Sequence, residues 1–237
     1  MIILAFDSTA KAASAAVTDD EKLIALYNID NGLTQSELLL PMAENMLKNL
    51  KLTFDDIELL CCSVGPGSFT GVRIGTALVK GLAFGKDIPC VSVSTLDALA
   101  ENLRGLDGII VPCMDARRSQ VYTAIYRAKG GALEKLCEDK AIAISDLAEE
   151  LKQYEGDNIY LSGDGYLTAK RGLEAAGLNI MNTPTLLITE NAYSVATVAK
   201  RKYDSKEYIS DSAISPTYLR MPQAERERLE RLAKEGK

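Results

Sequence analysis

At 237 residues, 47% hydrophobic and 25% charged, the chain can bury a substantial core in one or two compact domains. Its net charge of −6 and pI of about 4.9 argue against an autonomous nucleic-acid binder, which needs a concentrated basic surface. Histidine is absent (His 0), which excludes HExxH zinc sites, Ser-His-Asp triads and Cys-His pairs and leaves acid–base chemistry to Asp, Glu, Lys or Tyr.

Ile2–Asp7, Ala13–Thr18 and Lys22–Tyr27 read as three strands. Met1–Asp7 lacks the basic region of a signal peptide, and no segment approaches the roughly 18 uncharged apolar residues of a membrane span, so a cytoplasmic protein is expected. Ser36–Leu50 has helical periodicity, with Leu39, Leu40, Ala43, Met46, Leu47 and Leu50 on one broad apolar stripe. Ile57–Val64 reads as a buried strand, and Phe69–Phe84 as a long proline-free helix. The join between them, Val64-Gly-Pro-Gly-Ser-Phe-Thr-Gly-Val-Arg-Ile-Gly75, is the most informative segment of the chain. Gly65 and Gly67 supply positive φ or close backbone approach, Pro66 stiffens the turn, and Ser68 is placed to cap the helix, whose first N–H groups would face an anion. The segment has neither the Gly-Lys-Ser/Thr of a P-loop nor the GxGxxG spacing, so a turn that binds nothing is an equal reading. Gly71, Gly75 and Gly81 each cost about 1 kcal/mol inside a helix relative to alanine. With Ala77 they imply a closely packed backbone, either internal or from another subunit. Thr95–Leu103 reads as a further helix.

After Arg104–Gly108 the pattern restarts. Ile110–Asp115 echoes Ile2–Asp7, both ending on aspartate, and Gln120–Tyr126 and Ala132–Cys137 supply two more strands. Ser145–Tyr154 reads as a helix and Asn158–Ser162 as a strand that ends in Gly163-Asp-Gly165. The expected division is a first lobe over 1–104, a second over 105–221 and a mixed-charge tail over 222–237. The 5 cysteines sit mostly in apolar runs and fit reduced core residues better than a disulfide framework.

This duplicated strand–strand–strand–helix–strand–helix plan resembles the α/β fold of the actin, sugar-kinase and Hsp70 superfamily (ASKHA, ribonuclease H-like), in which nucleotide lies between two lobes. Within it the chain resembles the TsaB (YeaZ) family, the non-catalytic paralogue of the tRNA threonylcarbamoyl transferase TsaD. The resemblance rests on Ala5-Phe-Asp-Ser-Thr9, Ser36-Glu-Leu-Leu-Leu-Pro41, Gly65–Gly75, Gly81-Leu-Ala-Phe84, Asp115-Ala-Arg-Arg118 with Val121-Tyr122, and Pro216-Thr-Tyr-Leu-Arg220.

The resemblance carries roles with it. Asp7, Ser8 and Thr9 occupy the place where the superfamily cradles phosphate or magnesium-bound water, against the plainer reading of a capped hairpin turn. Asp115, Arg117 and Arg118 would steer an anion or form an ordinary exposed turn, and Gly163 and Gly165 stand where adenosine-contacting glycines are placed. Thr95 and Leu99 replace the metal-binding histidine pair of TsaD-like enzymes, so neither a metal site nor a catalytic residue is expected. Gln35 replaces a histidine frequent in TsaB proteins. In the family, the two helices of the first lobe pair with their counterparts in TsaD. That implies a partner interface over Leu39, Leu40, Ala43, Met46, Leu47, Gly71, Gly75, Ala77 and Gly81, unless these residues cover their own sheet. The implied function is a scaffold required for threonylcarbamoyladenosine formation in tRNA. It would form a heterodimer with TsaD, help recruit the ATPase TsaE, self-associate as a homodimer when alone, and meet tRNA only indirectly. It would have no intrinsic cofactor, ATP/ADP and magnesium coming with the assembled complex. The competing reading is an independent ATP-dependent kinase or ATPase with Asp7 as magnesium anchor or base. A protease finds little support, since no histidine could activate Ser68 or a cysteine.

Overall fold

A computed structural model describes residues 1–220; the tail expected at 222–237 lies outside the described residues. The first sheet is built from β1 (Ile2–Asp7), β2 (Ala13–Asp19), β3 (Lys22–Ile29), β4 (Leu59–Ser63) and β5 (Cys90–Val93), with α1 (Gln35–Leu50), α2 (Phe69–Ala83) and α3 (Thr95–Glu101) between or after them. Its order is β3-β2-β1-β4-β5. β1 to β3 run antiparallel as a meander, while β4 and β5 run parallel to β1 through helical crossovers. α1 starts at a capping box in which the Thr34 N–H donates to Glu37 Oε2 at 2.8 Å.

β1 and β4 are continuous apolar runs because both of their faces are covered. Leu4, Phe6, Leu60 and Cys62 point toward α1 and α2. The alternate residues Ile3, Ala5, Leu59 and Cys61 point toward a helix that comes from the far end of the chain.

The second sheet contains β6 (Gly108–Asp115), β7 (Gln120–Thr123), β8 (Tyr126–Lys129), β9 (Ala132–Lys135), β10 (Lys140–Ala143) and β11 (Ile159–Ser162). It is accompanied by α4 (Ile144–Leu151) and α5 (Tyr166–Ala175), then α6 (Thr185–Ile188) and α7 (Ala192–Asp204). Gln120–Tyr126 is expected as one strand, and the structure breaks it. β7 and β8 nevertheless hold a single register against β6, Cys113 opposite Thr123 and Ile110 opposite Tyr126. At the break Ile125 N–H donates to Cys137 Sγ at 3.2 Å, and Leu136 N–H donates to Ile125 O at 2.7 Å. The same irregularity separates β9 from β10, and β10 has no counterpart in the sequence reading because Lys140–Ala143 is too short to show a period. With β11 parallel to β6 and a parallel bridge from Ile159 to Ile180, the second half repeats the first: a three-strand meander followed by parallel additions.

The division at 105–221 needs correction. α7 packs Ala192, Val195, Ala196, Val198 and Ala199 onto the open face of the first sheet, because that face is apolar and nothing earlier in the chain covers it. Beyond α7 the chain stays with the first lobe, through an antiparallel bridge from Cys90 to Ile209 and a hydrogen bond from Thr217 N–H to Val64 O at 2.7 Å. The second lobe therefore ends near residue 190.

α3 lies between the lobes, its Leu96, Leu99 and Ala100 against Ile110, Met114 and Tyr126 of the second sheet. Polar bonds reinforce the contact: Ser94 Oγ donates to Asp139 at 2.6 Å, and Tyr126 OH donates to Asp97 at 2.7 Å. Asn102, just past α3, donates to Thr189 O and accepts from Asn191 Nδ2, each at 2.9 Å. This pins the segment on which the chain returns to the first lobe. Among the described residues no helix is long and apolar enough to cross a membrane.

Candidate functional site

A cleft of about 790 Å³ opens between the lobes, where four turns meet. Asp7–Thr9 follows β1, Gly65–Ser68 precedes α2, Asp115–Ser119 follows β6, and Gly163–Gly165 follows β11. Of the residues singled out in the sequence, Thr9, Gly67, Ser68, Asp115 and Arg117 line the wall, joined by Lys11, Gln35, Asp164 and Arg220. Asp7, Ser8, Gly65, Gly163 and Gly165 do not line it; they are buried behind these residues, while Arg118 projects to solvent.

Asp7 is 2% exposed. Its carboxylate accepts from Thr9 N–H at 2.9 Å, Thr9 Oγ1 at 2.8 Å and Ser63 Oγ at 2.5 Å. Burial raises its pKa, although all three donors pull the other way. An aspartate held like this organises the turn; it does not present itself to a metal ion or a substrate hydroxyl. Ser68 caps α2 as the sequence indicates, its Oγ accepting from Gly71 N–H at 3.2 Å and its own N–H donating to Thr9 O at 2.7 Å.

In the β6–β7 turn Arg117, Arg118 and Ser119 have φ of 65°, 54° and 57°. Three successive non-glycine residues in the left-handed region cost on the order of 1 kcal/mol each. The turn is held by Asp115 Oδ1, which accepts from Arg117 N–H at 2.8 Å, and it places Arg117 at the cleft, 3.7 Å from the Asp115 carboxylate. On the same wall, at the end of the neighbouring strand β11, Asp164 Oδ1 accepts from Asp115 N–H at 2.8 Å, Asp164 N–H donates to Glu190 Oε1 at 3.1 Å, and Gly165 N–H donates to Cys113 O at 2.9 Å.

Glu190 escapes the sequence reading. It is 5% exposed, and burial first, then the charge of Asp7, pushes its carboxyl up to about 8. Its only sequence signal is Thr189-Glu-Asn191 ahead of an apolar-periodic helix, which reads as an ordinary cap; Asn191 is indeed the cap of α7, accepting from Ser194 N–H at 3.0 Å.

The site does not fit a nucleoside polyphosphate with magnesium. The N–H groups of Thr9, Ser68, Asp115, Arg117, Asp164 and Gly165 all donate within the protein, four of them to carboxylates. A phosphate placed beside Asp115 and Asp164 would meet two carboxylates, a like-charge contact that disfavours it. No group of three or more His, Cys, Asp or Glu side chains able to hold a metal ion occurs among the described residues.

The helix residues expected at a partner interface divide into two sets. Leu39, Ala43, Met46 and Leu47 are buried in the first core, and Met42 joins them. As a correction, these side chains face their own sheet and are not a surface. Gly71 and Gly75 are also internal: a β-carbon on Gly71 would strike Ser8 O, and one on Gly75 would lie 2.5 Å from Ser8 Oγ. The close backbone that these glycines imply is thus the chain's own first turn. Leu40, Ala77 and Gly81 are exposed, and Leu33 and Phe84 at the ends of α1 and α2 are 50% and 79% exposed.

The family model described as TsaD, tRNA N6-adenosine threonylcarbamoyltransferase, matches residues 34–228. The chain is 32% identical over 225 residues to the tRNA threonylcarbamoyladenosine biosynthesis protein TsaB of Bacillus subtilis, covering 95% of this chain and 96% of that protein. It is 28% identical to the protein of the same name from Escherichia coli, covering 93% and 95%. The solved structure of YeaZ from Pseudomonas aeruginosa superposes with a TM-score of 0.74 over 92% of this chain and 99% of that one, at 21% identity, which is a likeness of fold.

Proposed function

Because the chain belongs to the TsaB (YeaZ) family, with the duplicated α/β fold of the ASKHA superfamily and a place in tRNA threonylcarbamoyladenosine biosynthesis, we propose that it acts there as a non-catalytic scaffold. It dimerises with a TsaD homologue through the outer side of α1 and α2 and helps to recruit the ATPase TsaE. The same side would close a homodimer when the partner is absent.

The observation that carries this reading is the outward side of the two helices, where Leu40 of α1 is 38% exposed and Ala77 and Gly81 of α2 are exposed as well. Small residues there let a partner helix approach closely, and the flanking Leu33 and Phe84 supply apolar area that the chain does not cover itself. On this reading the protein supplies surface and no nucleophile, tRNA is met only indirectly, and any ATP/ADP or magnesium belongs to the assembled complex. An independent ATP-dependent kinase or ATPase would need Asp7 to reach magnesium or substrate, and the buried, three-fold bonded Asp7 counts against it.

The experiment is size-exclusion chromatography with light scattering, on the protein alone and mixed with the TsaD homologue of the same organism, followed by a tRNA modification assay. A stoichiometric complex that modification requires is the expected result. Failure to associate under varied nucleotide and magnesium would overturn the scaffold role, and ATP turnover by the isolated chain would then be the next measurement.

A further inference from the structure

The interlobe cleft has the size of a small-ligand site, and three cationic side chains, Lys11, Arg117 and Arg220, line it. At about 790 Å³ it falls within the usual range of pockets that enclose drug-sized molecules. Neither volume nor long-range charge therefore keeps a phosphorylated ligand out. What opposes it is local. Asp115 and Asp164 both line the cleft; the Asp164 side chain accepts the Asp115 N–H, while its own N–H is taken by the buried Glu190 carboxyl. The turn after β11 is thus fixed from both sides: Gly163 and Gly165 lie so close to Cys113 O that a β-carbon on either would strike it, and Asp164 between them is the residue of this turn that lines the cleft.

We propose that Asp164 is the specificity residue that excludes nucleoside polyphosphates from the cleft of the isolated chain, its carboxylate taking the place of a ligand phosphate oxygen on the Asp115 N–H. The exclusion is one of charge and donor occupancy. A phosphate brought to this wall must either displace Asp164 from its hydrogen bond or sit beside it as a like charge. This extends the non-catalytic reading, but its test stands apart from that reading, since ligand binding by the chain alone requires no partner.

Isothermal titration of the full chain with ADP and with adenosine, in the presence of magnesium, tests the idea without any mutation: adenosine should bind at least as well as ADP. Asp164→Asn keeps an acceptor for the Asp115 N–H and removes the charge, and it should bind ADP at least tenfold more tightly than the wild type, about 1.4 kcal/mol. Asp164→Ser provides a second variant with the same expectation. Lys11→Met in the Asp164→Asn background should abolish the gain, which ties it to this cleft. Wild-type protein that prefers ADP to adenosine overturns the proposal. So does unchanged ADP affinity in folded Asp164→Asn and Asp164→Ser proteins, whatever the outcome of partner binding.

Discussion

Ser8 Oγ donates to Gly71 O at 2.8 Å, and the same oxygen lies 2.5 Å from where a β-carbon on Gly75 would stand. The turn after β1 and the first half of α2 are therefore one packed unit, and the two glycines serve the fold of the single chain. Gly75→Val should destabilise the isolated protein by about 2 kcal/mol, since overpacking of ~1–3 kcal/mol outweighs the gain in helix propensity. Urea unfolding measures it; an unchanged midpoint would mean that the serine turns aside without cost.

Gly81 behaves differently, because nothing lies within 4 Å of a β-carbon there. Gly81→Ala should stabilise the chain by up to ~1 kcal/mol. Leu40→Asp and Ala77→Arg should leave stability within about 0.5 kcal/mol and weaken association with the TsaD homologue tenfold or more. Light scattering of the mixture reads the second effect, and full complex formation by both variants would move the interface elsewhere.

Glu190 makes stability depend on pH. Burial first, and then Asp7, raise its pKa from 4.5 to about 8. The native state holds this proton in a range where the unfolded chain has lost it, so the contribution is complete below about pH 4.5 and disappears as pH rises toward 8. From pH 5 to pH 8.5 the wild type should lose roughly 2–4 kcal/mol more than Glu190→Gln, whose amide mimics the protonated carboxyl. Parallel curves for the two proteins would remove Glu190 as the source.

Thiol reactivity should separate the cysteines. Cys61, Cys62, Cys90 and Cys113 are buried, and burial raises their pKa values, Cys90 to about 11 and Cys113 to about 12. Under native conditions a disulfide reagent at pH 8 should modify only the half-buried Cys137 quickly. Rapid modification of a second thiol would reveal opening of the sheet that carries it, the first for Cys61, Cys62 or Cys90 and the second for Cys113.

Much of the architecture was legible because its signals are local. The apolar run of Ile2–Asp7 and its echo Ile110–Asp115, the helical period of Ser36–Leu50 and the Ser68 cap each depend on neighbours a few residues away, and each appears in the structure. The break between β7 and β8 was not legible, since it depends on Ile125 meeting Cys137 across the sheet. The roles within α1 were half legible. The apolar stripe was visible, but its direction was not, and most of the residues that looked like a docking surface turn out to be the core of their own lobe.

The sequence by itself determined the duplicated α/β plan, the exclusion of histidine chemistry and the family, because residue type, period and motif spacing are properties of the chain read in order. Only the tertiary structure decided that α7 belongs to the first lobe, that Gly71 and Gly75 answer to Ser8, and that the buried Glu190 holds the backbone of Asp164 at the cleft. These depend on residues from 26 to almost 200 positions apart being pressed together when apolar faces leave water, and which distant faces meet is set by the whole packed molecule.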